Sequence, residues 1–282
     1  MSLKKKLLIF IVAYNAEKTI KSVVSRIPKK LSSQYNLEIL IIDDSSQDKT
    51  FELSKKIKKY YSNSSFKINV FYNPVNQGYG GNQKIGYHYS IKNNFDYVVL
   101  LHGDGQYAPE ILPKLLKSFS DNSNSDVVIG SRMIEKKRAL KGGMPFYKFI
   151  GNIILTKSQN ILLGTNLAEF HSGYRIYKVN SLKKIPFYLN TNDFHFDTEI
   201  LIQLFLINQK IEEISIPTFY GDEICHVNGM KYAFNVIFVT LIAKLQKITG
   251  FNFTNKFKEN SLNKKSQNIK VDKLLELAKK RR

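Results

Sequence analysis

Tyr97-Val98-Val99-Leu100-Leu101-His102-Gly103-Asp104-Gly105-Gln106-Tyr107 reads as an apolar strand that stops abruptly in a turn carrying an imidazole, a carboxylate and an amide. Gly103 and Gly105 permit tight, left-handed backbone, so the polar side chains between them project into one place. Pro109-Glu110 opens the next helix, where proline lacks only a donor that would be unpaired anyway. Oxygen ligands just beyond a strand end suit Mg²⁺ or Mn²⁺, which keep water and share coordination with a substrate diphosphate. An ordinary polar turn between strand and helix is the plain alternative, and the surrounding chain decides between them.

Outward from this turn, short apolar runs alternate with helical patterns. Residues 6–13, 37–42, 66–71, 97–101 and 127–129 read as strands, while 19–27, 49–60, 81–91 and 109–119 carry helical spacing. Such alternation predicts an α/β fold with a mostly parallel sheet and helices on both faces. Ligands bind such sheets beyond the carboxyl ends of the strands. Tyr14-Asn15, Asp43-Asp44, 73–81 and 102–106 all fall there. The second half is less regular. Helices are expected over 146–163 and 197–207, and a strand over 211–216 ended by Pro217.

The chain of 282 residues, 43% hydrophobic, can bury one large core, which excludes wholesale disorder. Its formal charge of +20 implies an anionic partner: a phosphorylated substrate, an acidic lipid surface or nucleic acid. The basic residues are spread along helices without the interleaved aromatics of a nucleic-acid face, so no nucleic acid is expected. The lone Cys225 excludes an internal disulfide and has no metal-ligand spacing around it. Lys4-Lys5-Lys6 before an apolar run has the look of a signal peptide, but the polar break at 14–18 favours a buried first strand.

Two further loops bear chemistry. Asp43-Asp44-Ser45-Ser46-Gln47-Asp48 ends a strand with adjacent carboxylates, one of which can accept from a base or a ribose hydroxyl while Ser46 or Asp48 caps the helix. Asn76-Gln77-Gly78-Tyr79-Gly80-Gly81 opens a helix with glycines, an arrangement that suits phosphate or ribose. Neither the Walker A nor the dinucleotide spacing is present.

Together, Val12-Ala13-Tyr14-Asn15, the Asp43–Asp48 motif, Asn76-Gln77-Gly78, Asp104-Gly105-Gln106 and Gly130-Ser131-Arg132 resemble the ordered signature of family 2 glycosyltransferases. Ser172-Gly173-Tyr174-Arg175 and Ile214-Ser215-Ile216-Pro217 extend the likeness, which is to the branch of dolichyl-phosphate mannosyltransferase and other polyprenyl-phosphate sugar transferases. The resemblance implies a GT-A nucleotide-diphospho-sugar transferase fold and inverting transfer of a hexose from UDP- or GDP-hexose. It implies that Val12, Ala13, Tyr14 and Glu17 line the nucleoside pocket, that Asp44 reads the base and that Gly78 belongs to the donor loop. Asp104 would hold the divalent cation, Mg²⁺ or Mn²⁺, with Gln106 as a further ligand. His102 stands where the family has an aspartate, and it either ligates the metal or bonds the nucleotide.

Arg132 and Arg175 are expected to meet the donor diphosphate or an acceptor phosphate, and Lys148 aligns with a basic acceptor position. A phosphate acceptor needs no general base. A hydroxyl acceptor, as in surface polysaccharide or glycolipid assembly, needs one, and Glu169, Asp197 and Glu199 are the candidates. The expected layout is a catalytic domain over 1–227, an amphipathic helix over 228–250 that lies on a membrane surface or packs on the core, and a basic extension over 251–282 with a net charge of +7. Residues 220–229 are expected to form a lid or a connection. The preferred acceptor is a polyprenyl phosphate at the cytoplasmic membrane face, with the enzyme held there peripherally.

Overall fold

The computed structural model describes residues 4–119, 124–220, 228–258 and 264–280. Among them, seven strands form one sheet: β1 (Lys6–Ala13), β2 (Asn36–Asp43), β3 (Lys67–Tyr72), β4 (Tyr97–His102), β5 (Val127–Ser131), β6 (Arg175–Lys178) and β7 (Ile211–Ser215). Their order is β3-β2-β1-β4-β6-β5-β7, and every pairing is parallel except the two made by β6. The helices are α1 (Ile20–Ser25), α2 (Leu31–Gln34), α3 (Thr50–Tyr60), α4 (Tyr79–Lys92), α5 (Leu112–Lys117), α6 (Lys136–Lys141), α7 (Phe146–Leu163), α8 (Val179–Leu182), α9 (Phe196–Leu206), α10 (Gly229–Thr249) and α11 (Lys264–Lys280).

Side chains alternate across each strand, so the near-continuous apolar runs of β1, β2 and β4 supply both faces of the sheet. Leu7, Ile9 and Ile11 join Ile20, Val23, Phe51, Leu112 and Leu115, which places α1, α3 and α5 on one face. Leu8 and Phe10 join Ile85, Ile200, Leu201 and Leu204 from α4 and α9 on the other. Each fully buried Leu, Ile or Phe stabilises the fold by about 1.5–3 kcal/mol relative to exposure.

Register decides where the chemistry gathers. Ala13 pairs with Asp43, Asp43 with Tyr72, and Val12 with His102, so four parallel strands end within a residue of one another. The reversed β6 sets its first residue, Arg175, opposite Leu100 and Ile129. The segment that leads into β6 therefore arrives at the same edge from the opposite direction.

The C-terminal helices fill in the expected layout. Within the basic extension, α11 returns to the domain: Leu275 and Ala278 are fully buried in the core cluster that holds Leu8 and Phe10. Asp272 accepts from His88 and from Lys92, both at 2.9 Å, which orients α11 along α4. The helix α10 packs against α7 and α9, with Val239 and Ala243 buried beside Ile202. Of the lid or connection expected over 220–229, residues 221–227 lie outside the described residues.

Candidate active site

Two loops leave the sheet edge together. Asn15 and Ser45 both take left-handed backbone, with φ of 49° and 65°. Asn15 N–H donates to Ser46 Oγ at 2.9 Å, and Asn15 Oδ1 accepts from Gln47 N–H at 2.8 Å. Glu17 N–H donates to Asp48 Oδ2 and Glu17 Oε2 accepts from Lys49 N–H, both at 3.0 Å. Glu17, expected in the nucleoside pocket, thus clamps the two loops. Val12 and Ala13 lie in β1 beneath this lacing, and Tyr14 stays exposed above it.

The paired carboxylates differ in their surroundings. Asp44 Oδ1 accepts from Asn73 Nδ2 at 2.7 Å and from Gln77 N–H at 2.9 Å. Asp43 Oδ1 accepts from Ser46 N–H at 2.8 Å, whereas Asp43 Oδ2 is buried with no partner among the described residues. Burial pushes the Asp43 carboxyl up to about 6.

The glycine loop has a use other than the one its composition suggests. Gly78 has φ of 78°, and a Cβ there would meet Asn192 O at 2.6 Å; a Cβ on Gly80 would meet Thr191 O at 2.6 Å. Gly80 N–H donates to Asn192 O at 2.8 Å. These glycines let the 190–194 segment press against the start of α4, which spends one of the helix's unpaired amides on protein. Gly78 N–H donates to Asn76 Oδ1 and the neighbouring Gln77 N–H to Asp44 Oδ1, so the loop stays at the sheet edge but is not an open phosphate cradle.

His102 is joined to the polar interior. Tyr79 Oη lies 3.1 Å from His102 Nε2 and donates to Asp197 Oδ2 at 2.9 Å. A hydroxyl has one proton, and Asp197 receives it, so His102 Nε2 must donate to the Tyr79 oxygen. That leaves the lone pair on Nδ1, which faces Asp104 Oδ2 at 3.9 Å. Burial lowers the His102 pKa against the opposing pull of Asp104 and Asp197, and the ring is neutral near pH 7. Gly173 fits against it: a Cβ there would lie 2.6 Å from His102 Nε2. Asp104 is exposed at the rim, with Oδ1 accepting from Gln106 N–H at 2.9 Å.

Among the described residues no group of three or more His, Cys, Asp or Glu converges. A cation would therefore take the Asp104 carboxylate and the lone pair of His102 Nδ1, with Gln106 close by, and draw its other ligands from water and the donor diphosphate. This donor set fits Mn²⁺ well, because imidazole suits it better than it suits Mg²⁺.

The arginines are placed differently from expectation. Arg175 is fully buried, its guanidinium donating to Ser172 O at 2.8 Å, Phe170 O at 2.8 Å and Asp197 O at 2.7 Å. It ties three segments together and cannot meet a donor or acceptor phosphate. Arg132 forms a buried ion pair with Glu169, whose Oε1 accepts from Nε at 3.0 Å and also from Nη2, and whose Oε2 accepts from the Arg132 N–H at 2.7 Å. Arg132 Nη1 donates to Tyr220 Oη at 2.9 Å, and Lys148 Nζ sits 5.3 Å from the Tyr220 ring centre. Arg132 and Lys148 are thus brought together, with Tyr220 between them.

The candidate bases are all engaged. Burial alone would raise the Glu169 carboxyl, but Arg132 outweighs it and holds the group below its ordinary value. Glu199 Oε1 accepts from Lys256 Nζ and Oε2 from Thr191 N–H, both at 2.6 Å. Asp197 accepts from Tyr79 and, at 3.2 Å, from Gln83. It does not cap its helix, where His195 holds the cap position.

The ordered turns at one sheet edge are matched by sequence comparison. Residues 8–186 match glycosyl transferase family 2. The chain belongs to that family. A dolichyl-phosphate N-acetylglucosaminyltransferase of Methanococcus voltae, which uses UDP-N-acetylglucosamine by its name, is 27% identical over 254 residues, spanning 86% of this glycosyltransferase and 98% of the relative. An undecaprenyl-phosphate mannosyltransferase of Micrococcus luteus is 24% identical over 182 residues, spanning 64% and 70%. Glucosyl-3-phosphoglycerate synthase of Mycobacterium tuberculosis, solved with Mg²⁺ and UDP, superposes with a TM-score of 0.58 at 16% identity, over 89% of this chain and 82% of that one. The fold of this glycosyltransferase is accordingly GT-A.

Sequence reasoning missed Tyr79, which bonds His102, Gln83, which bonds Asp197, and Tyr107, whose Oη accepts from Gly173 N–H at 2.7 Å. Their only sequence signal is adjacency to glycine-bearing turns.

Proposed function

We propose that this glycosyltransferase moves a hexose, with inversion, from UDP- or GDP-hexose to a polyprenyl phosphate at the cytoplasmic face of a membrane. One observation carries the choice of acceptor: Glu169, Asp197 and Glu199, the candidate bases, are each taken up by neighbouring donors or cations. A hydroxyl acceptor would need one of them to accept a proton, whereas a phosphate is already ionised. The acceptor oxygen forms its bond to the anomeric carbon as the bond to the donor diphosphate breaks, and the nucleoside diphosphate departs. The names of the Methanococcus and Micrococcus relatives, both lipid-phosphate transferases, support the same acceptor class.

In this reading Tyr14 and Asp44 receive the nucleoside, and Asp104, His102 and Gln106 hold the cation. A bound Mg²⁺ or Mn²⁺ neutralises the charge that develops on the leaving diphosphate. Lys148, with Arg132 behind Tyr220, meets the acceptor phosphate. Arg175, Asp197 and Glu199 position these groups and stay out of contact with substrate.

The test is a panel of nucleotide sugars screened by thermal shift with and without Mn²⁺ or Mg²⁺, followed by transfer assays. One donor is expected to stabilise only with metal, Asp104→Asn to abolish that shift, and transfer to proceed to a short-chain polyprenyl phosphate. Transfer to soluble sugar hydroxyls in preference to the lipid phosphate would overturn the acceptor.

A further inference from the structure

We infer that α7 and α10 together form a face that seats this protein on an anionic lipid bilayer. Phe234, Phe238, Leu241, Leu245 and Ile248 are spaced at 4, 3, 4 and 3 residues along α10, and all are exposed, Phe234 by 69% and Ile248 by 67%. This spacing puts them on one stripe of the helix. The opposite stripe, with Val236, Val239 and Ala243, is buried in the domain. The outer stripe is therefore additional to the packing of α10 and is not explained by it.

Beside it, α7 presents Ile150, Ile154 and Ile161, Ile154 being 58% exposed. The two helices run about 27 and 31 Å at 1.5 Å per residue, so the paired stripes make an apolar surface far larger than scattered exposed side chains. Among the described residues no helix is long and apolar enough to cross a membrane. A surface that lies in the headgroup region is what such helices serve.

Charge selects the occupant. Neither helix contains a single Asp or Glu, and between them they carry Lys148, Lys157, Lys231, Lys244 and Lys247. A second copy of this chain would set lysine against lysine, whereas anionic headgroups neutralise them as the apolar side chains enter the acyl boundary.

Both helices also begin at the acceptor side of the site. Tyr232, in the first turn of α10, has its hydroxyl 2.8 Å from His171 Nδ1, and the His171 carbonyl accepts from Arg132 at 3.2 Å. Lys148, in the first turn of α7, lies over Tyr220, which accepts from Arg132. Docking by this face brings the headgroup layer to Arg132 and Lys148. The inference rests on the lipid-phosphate reading for its purpose, whereas the exposed stripes and their lysines stand without it.

The experiment is co-flotation of the full chain with phosphatidylcholine vesicles and with vesicles of phosphatidylcholine and phosphatidylglycerol, without nucleotide sugar. The protein is expected to float with the anionic vesicles only. Phe234→Glu with Phe238→Glu, and Ile150→Glu with Ile154→Glu, should each lower binding about tenfold or more, as should reversal of Lys231, Lys244 and Lys247 to Glu. Tyr60→Glu, on the exposed face of α3, should leave it unchanged. All these positions are exposed or half-buried, and circular dichroism verifies that each variant is folded. Undiminished vesicle binding by both apolar pairs overturns the inference. So does conversion of a dimer to a monomer with vesicle binding intact, which would make the face a self-association surface. Vesicle binding without transfer to any polyprenyl phosphate would leave the docking face standing and remove the acceptor reading. Transfer to a short-chain polyprenyl phosphate by a protein that binds no vesicles would do the reverse.

Discussion

Tyr79 donates its hydroxyl proton to Asp197 across 2.9 Å, joining the first turn of α4 to the first turn of α9. The consequence is felt at His102. With its proton committed, the Tyr79 oxygen can only accept, and His102 is held in the tautomer whose Nδ1 lone pair faces Asp104. A buried network thereby prepares a ring at the rim, much as outer-shell hydrogen bonds orient metal-ligating histidines in general.

Tyr79→Phe tests this relay. It leaves an Asp197 oxygen short of a donor and His102 Nε2 without an acceptor, at a cost of about 1–3 kcal/mol in unfolding free energy by urea titration. Metal-dependent donor binding, followed by calorimetry with Mn²⁺ present, should weaken as well. Unchanged metal-dependent binding would show that the tautomer does not matter.

Glu169→Gln tests the buried pair. Arg132 is 7% exposed and Glu169 fully buried, so removal of the carboxylate strands a guanidinium in the interior. The expected loss is about 3–5 kcal/mol by denaturant unfolding, far beyond what an exposed ion pair contributes. Arg132→Met with Glu169→Met should recover much of that loss, because it removes both charges.

His171 supplies a pH signature. Burial pushes its imidazole down to about 4, below the usual 6.5 of the unfolded chain. Between those two values the unfolded chain binds a proton that the folded chain refuses. Stability therefore rises with pH from about 4 to 6.5, by about 3 kcal/mol at most. Urea midpoints across this window should climb for the wild type and climb less for His171→Asn.

Leu275→Ala tests the docking of α11. Leu275 is fully buried against the sheet, so truncation should cost about 2–5 kcal/mol. Differential scanning calorimetry should show one transition moving down. A separate low-temperature transition for α11 alone would mean that the helix is a detachable appendage.

Much of the architecture was legible because it is local. The short continuous apolar runs of β1, β2 and β4 and the 3.6-residue spacing of the helices between them are local signals, and the ends of parallel strands necessarily share an edge. What escaped was pairing across distance. Arg175 resembles a phosphate ligand in sequence, but β6 runs antiparallel and carries its first residue under the 170–173 segment, where three carbonyls surround it. The glycines at 78 and 80 resemble a ligand cradle, whereas the backbone that approaches them belongs to Thr191 and Asn192. In α11 a signal was present, Val271, Leu275 and Ala278 at spacings of four and three, but the surrounding lysines hid it.

That last helix has a temporal consequence. Leu275 and Ala278 close the same cluster as Leu8, Phe10 and Leu100, from strands translated well before them. During synthesis the layer beneath α4 stays open to water and to chaperones until the ribosome has released the 264–280 segment. A protein that stalled before that point would present an unsealed flank beside an otherwise assembled sheet edge.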